Sequence, residues 1–255
     1  MEENDVELSF WDHLDVLRGS LIKIIVVTVL CGIVAFVFKD QLFDVILAPK
    51  DCHFYTYKLL GIPAFHIQLV NIGLSEQFMI HMKAAMSFGL LCASPYILYV
   101  LYKFISPALY KREQHYAVKV VGSAYVLFVI GILVNYFLIF PLTVRFLGTY
   151  QVSDQVETML SIQSYMDTLL MMSLVFGIVF EIPVISWLLA IFGILKAEWM
   201  SQYRRQAVVV ILIVAAVITP TSDVFTLLIV SLPIWLLYEI SIIIVRVTQP
   251  VGTEV

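Results

Sequence analysis

Charge is scarce in this sequence. Only 13% of its 255 residues are Asp, Glu, Lys or Arg, against 61% hydrophobic, which is too little polar surface to cover a soluble globule of that length. Residues 1–16 contain no Lys or Arg but carry Glu2, Glu3, Asp5, Glu7, Asp12 and Asp15. The positive start of a cleavable signal peptide is therefore missing, and the first hydrophobic segment is expected to stay in the protein. With a net charge of −4 and no basic patch, the chain has no surface to neutralise phosphates, so nucleic acid is excluded as a partner. Cysteine is scarce as well: Cys31, Cys52 and Cys92 lie far apart, two of them inside apolar segments, so neither a disulfide nor a metal site is expected. The motifs G-x-x-x-x-G-K-[ST], G-x-S-x-G, H-E-x-x-H and G-x-G-x-x-G are missing, which disfavours an enzyme and implies no cofactor.

What the sequence has instead is apolar length. Hydrophobic blocks run over 21–38, 78–101, 120–140, 165–194, 207–218 and 224–245. A bilayer core of about 30 Å imposes that spacing on helices rising about 1.5 Å per residue, while the strand-like alternation of a barrel is missing. Six blocks put both ends on one side of the membrane. Ten of the fifteen Lys and Arg fall at the N-terminus, in the second-to-third and fourth-to-fifth connections, or at the C-terminus, which predicts that side to be cytoplasmic. The expected organisation is one membrane domain over 1–255. It comprises a cytoplasmic amphipathic segment (1–20), an external cap (39–77), cytoplasmic connections (102–118 and 195–206) and a cytoplasmic tail (246–255). The fifth block reaches only about 18 Å, so either its helix continues through 204–206 or the bilayer thins there. Pro233 divides the sixth block and predicts that the last helix is short too.

Ionisable residues in or near lipid are the candidates for function. Phe10, Leu14, Leu17 and Leu21 form one apolar stripe of a helix lying along the cytoplasmic interface, with Asp12 and Asp15 off it. Asp15 either pairs locally with Arg18 or faces a ligand. Glu113 sits where the third helix begins, favourable for the helix dipole and open to a binding role. Glu181 lies well inside the fourth block, two residues before Pro183, which bends the helix. Glu239 is a second intramembrane acid, and Lys83 either pairs with Glu76 along one face or reaches toward the interface. A proton-coupled small-molecule transporter relaying through Glu181 and Glu239 is the alternative these residues leave open.

Six stretches in order give the chain a family resemblance: H-L-D-V-L-R at 13–18, S-P-Y-I-L-Y at 94–99, F-I-S-P-A-L-Y-K-R-E at 104–113, F-P-L at 140–142, F-E-I-P-V at 180–184 and T-P-T-S-D-V-F at 219–225. Together they resemble the TatC family, the multispanning subunit of the twin-arginine translocase. The resemblance implies an all-α membrane protein of six helices in a cupped arrangement, with short fifth and sixth helices and an external cap. It implies a receptor for the twin-arginine signal peptides of folded precursors, working in an oligomeric complex with single-span TatA- and TatB-type partners in the bacterial cytoplasmic membrane. By the same resemblance Phe104 and Glu113 contact the signal peptide, with Asp15 and Arg18 of the first motif beside them. Glu181 meets the single-span partners, and Asp223 belongs to an outer loop. The family motif has two acids before L-R, and the second is Val16 here.

Overall fold

The computed structural model describes residues 10–105, 117–151, 153, 159–219 and 223–248, and it is all-α apart from two short strands. It divides into two compact units. One takes in the described residues of Met1–Phe38 and Ala85–Tyr125, the other those of Lys39–Ala84 and Val126–Val255.

The first unit is organised by α1 (Phe10–Val37) and the later part of α4 (Glu76–Ile105). α1 is one uninterrupted helix, so the expected separate interfacial helix is instead the first turns of the spanning one. The two helices touch through glycine: a Cβ on Gly89 would lie 2.5 Å from the Gly32 backbone nitrogen and 2.8 Å from the Thr28 carbonyl oxygen. Small residues at such a crossing let the backbones approach, the usual way helices associate in lipid, where apolar burial alone provides no drive. Pro95 lies inside α4 and cannot bond the Leu91 carbonyl. The Ser94 hydroxyl donates to that carbonyl at 2.6 Å, satisfying it locally.

The second unit holds the cap, the first turns of α4 and, from Val126 onward, the remaining spans. The cap is built from α2 (Lys39–Leu47), a 3-10 turn (Ala48–Lys50), α3 (Tyr55–Leu59) and β1 (Leu69–Val70), which pairs in parallel with β2 (Leu160–Ser161). α5 (Ala117–Val134) continues through a π-turn (Asn135–Ile139) into α6 (Phe140–Thr149). Pro141 frees the Phe137 carbonyl, and the Thr56 hydroxyl of the cap donates to it. The hydroxyl of Tyr57, buried within the cap, lies 2.9 Å from both the Pro49 and Pro141 carbonyl oxygens. Burial pushes its pKa up, which keeps it a neutral donor. Tyr136 and Tyr165 donate to the carbonyls of Val45 and Ile46 at the end of α2. The cap is thus bolted to the spans by side-chain donors on carbonyls that helix ends and prolines leave over.

The fourth block forms two helices, α7 (Ile162–Val179) and α8 (Ile182–Ile191), broken at Phe180 and Glu181. α8 ends at Gly193, whose φ of 68° suits glycine, with its N–H on the Ala190 carbonyl and that of Ile194 on the Leu189 carbonyl. α9 (Ala197–Gln202) occupies the following connection and leads into α10 (Arg204–Ile218). α10 does continue through 204–206, yet its 15 residues reach only about 22 Å, still short of the core. The last helix differs from expectation: α11 (Val224–Thr248) runs unbroken through Pro233 for 25 residues and is long enough to cross. Five helical stretches among the described residues are long and apolar enough to span a membrane, and α10 is the short sixth.

Candidate functional site

Two groups of side chains follow from this framework, one in each unit. In the first unit, Thr28 and Gly32 of α1 meet Gly89, Met86 and Ala85 of α4 in antiparallel order. Arg18 lies fourteen residues before Gly32 and Phe104 fifteen after Gly89. At about 1.5 Å per residue both therefore stand about 21–22 Å from the crossing, at the same end. Asp15, Val16 and Arg18 are exposed there, and Phe104 is half-buried. Asp15 and Arg18 form no ion pair among the described residues, so the local pairing weighed from their spacing is not made. Glu113, with the whole of 106–116, lies outside the described residues.

In the second unit Glu181 takes the break between α7 and α8. The residue is 8% exposed, and its Oε1 is buried with no hydrogen-bond partner. Pro183 places the break, since its ring cannot bond the carbonyl one turn back. Glycines bring α5 against α7 just beside it. A Cβ on Gly131 would meet the Phe176 carbonyl oxygen at 2.5 Å, and one on Gly177 the Phe128 ring at 2.6 Å. One helical turn further along, Asn135 donates to the Ser173 hydroxyl at 2.9 Å, with Asn135 Oδ1 buried and without a partner. This polar pair escaped the sequence reading because one Asn and one Ser in apolar runs carry no periodic signal, although the π-turn that begins at Asn135 is a common mark of function.

Glu239, Asp223 and Glu76 are held by contacts within this unit. Glu239 accepts from Arg204 Nη2 at 2.8 Å, while Tyr238 next to it donates to the Met200 carbonyl at 2.8 Å, so both side chains fasten α11 to the α9–α10 corner. Asp223 accepts from the Thr226 N–H at 2.7 Å and caps α11. Lys83 does not pair with Glu76. It bonds Asp167 at 2.7 Å, and Glu76 accepts from the N–H groups of Ile72, Gly73 and Gln163 and from the Ser161 hydroxyl at 2.7–3.1 Å. A carboxylate at the start of a long apolar helix suggests a dipole partner. Its second task, joining the cap to the loop before α7, depends on contacts 85 and 87 residues away.

The chain matches the family model for the Sec-independent protein translocase protein (TatC) over residues 12–233. That is most of its length. The chain belongs to the TatC family. Named TatC relatives include that of Carboxydothermus hydrogenoformans, 31% identical over 246 residues and covering 96% of both chains. Another, from Koribacter versatilis, is 34% identical over 243 residues, covering 95% of this chain and 87% of its own. A crystal structure described as the twin arginine translocase receptor TatC superposes with a TM-score of 0.79 at 30% identity, over 93% of this chain and all of that one. As a TatC protein the chain is a multi-pass membrane component of a protein translocase and not an enzyme.

Proposed function

We propose that this chain is the receptor subunit of a twin-arginine translocase. It lies in the bacterial cytoplasmic membrane with both ends in the cytoplasm, binds the signal peptides of folded precursors and recruits TatA- and TatB-type single-span partners into an oligomeric complex. The observation that carries the reading is the likeness, along nearly the whole chain, to a protein described as the twin arginine translocase receptor. Two guanidinium groups require carboxylates in a partly desolvated surface pocket, because fork-shaped charge-assisted bonds form there and Lys substitutes poorly. Glu113 is the first candidate for such a carboxylate and Asp15 the next, with Arg18 and Phe104 at the same end of their helices. Asp15 points about 100° away from Val16 on a helix, so it reaches the ligand from a different side than the acid it replaces.

Glu181 is the candidate partner contact. A buried carboxyl oxygen lacking a hydrogen bond favours any incoming helix that brings a donor. Glu239 is tied to Arg204, which leaves the proton relay of a small-molecule transporter short of its second acid. The test compares an R-R signal peptide with the matching K-K peptide on the detergent-solubilised chain and on Glu113→Ala. At about 1.5–3 kcal/mol per bond to a charged group, losing one bond weakens binding at least about tenfold. Equal binding of both peptides to both proteins would remove the receptor reading.

A further inference from the structure

The cap carries a second cluster that the translocation site does not use. Asp51, Cys52 and His53 are consecutive, and their side chains converge because the chain turns there. The Phe54 N–H bonds the Asp51 carbonyl at 3.0 Å, and the His53 N–H bonds Asp51 Oδ1 at 3.0 Å. His53 Nδ1 then lies 3.1 Å from Asp51 Oδ1 and 3.4 Å from Cys52 Sγ, and all three atoms fall within 4.8 Å of one another. The stem of the turn is fixed, since Asp51 N–H bonds the Ala48 carbonyl at 3.1 Å and the Tyr57 hydroxyl holds Pro49.

We propose that this turn binds a divalent transition ion of the zinc type through Cys52 Sγ, His53 Nδ1 and Asp51 Oδ1, with a fourth position open to water. A tetrahedral ion with bonds of about 2.0 Å to nitrogen or oxygen and about 2.3 Å to sulfur sets its ligand atoms about 3.3 Å (N to O) and 3.5 Å (N to S) apart. The two short separations already match, and the third, from Asp51 Oδ1 to Cys52 Sγ, is within 4.8 Å. Thiolate with imidazole selects a zinc-like ion over calcium or magnesium, which take oxygen ligands. The side chains of His53 and Asp51 are 78% and 60% exposed, so an ion can enter without opening the fold. No metal is expected from the scattered histidines and cysteines; what spacing along the chain conceals is that three adjacent side chains of alternating chemistry fold onto one point.

The experiment titrates Co(II) into the tag-free, detergent-solubilised chain and follows the thiolate-to-cobalt charge-transfer band. One equivalent is expected to saturate it, Zn(II) to displace it, and Cys52→Ser to abolish it. Losing even an outer partner costs metal sites about tenfold, so His53→Ala should weaken binding by at least about that factor. In the unaltered chain, Zn(II) should also slow maleimide labelling of Cys52, a readout that needs no variant to fold. A missing band, a band kept in Cys52→Ser or undiminished in His53→Ala, or labelling indifferent to zinc would each overturn the site.

Discussion

Glu181 separates stability from function. A buried polar group left unsatisfied costs about 1–3 kcal/mol, so Glu181→Leu is expected to raise the thermal midpoint of the isolated chain. The same change should reduce cross-linking to single-span partners while leaving R-R peptide binding intact, and Glu181→Gln should keep part of the cross-linking. A lowered midpoint would show that the carboxyl is satisfied within the chain. Glu76 is the opposite kind of acid, with four donors aimed at it. Glu76→Ala strands those donors, and hydrogen exchange should speed up at Ile72, Gly73 and Gln163 while the amides of α11 stay protected. The Pro183 signal made Glu181 legible in the sequence. The bonds of Glu76 were not legible, because their partners come from loops far apart in the chain.

Helix contacts here are set by glycine. Gly89→Leu puts a side chain where Gly32 backbone atoms already stand. Overpacking of this kind costs about 1–3 kcal/mol, and thermal unfolding in detergent should show a lowered midpoint. Gly122→Leu, with open space around it, should leave the midpoint unchanged. The Lys83–Asp167 pair behaves differently. Its side chains are 43% and 44% exposed, so breaking it should cost less than about 1 kcal/mol, with charge reversal of both residues restoring what is lost. Apolar block length predicted six helical stretches and their order, five of which are long enough to span, but the break at Glu181 and the unbroken passage through Pro233 differ although both residues belong to proline-bearing runs. At Pro183 the helix restarts with the proline in its first turn, where a missing N–H costs nothing. Pro233 sits deep inside α11 and is tolerated there, as neighbouring helices make possible in membranes.

For the molecule as a whole, the short α10 is the feature to test, since 15 residues leave about 8 Å of a normal core unfilled. Local thinning of the bilayer relieves such mismatch and lowers the barrier for a passing chain. Inserting four leucines into α10 should cut export in vesicles while R-R peptide binding holds, and collapsing the proton gradient should stop export without either change. Composition alone determined that the solvent is lipid, and apolar length and the six family stretches determined the helices and the kind of protein, because bilayer thickness and helix rise are fixed by physics and act on the chain locally. Only the tertiary structure decided that Glu76 and Glu239 are bound while Glu181 buries an oxygen without a partner. It also decided how the cap is fastened and that Asp51, Cys52 and His53 converge. Each of those depends on where a donor from elsewhere in the fold, or a turn closed by the backbone, places an atom to within a few tenths of an ångström.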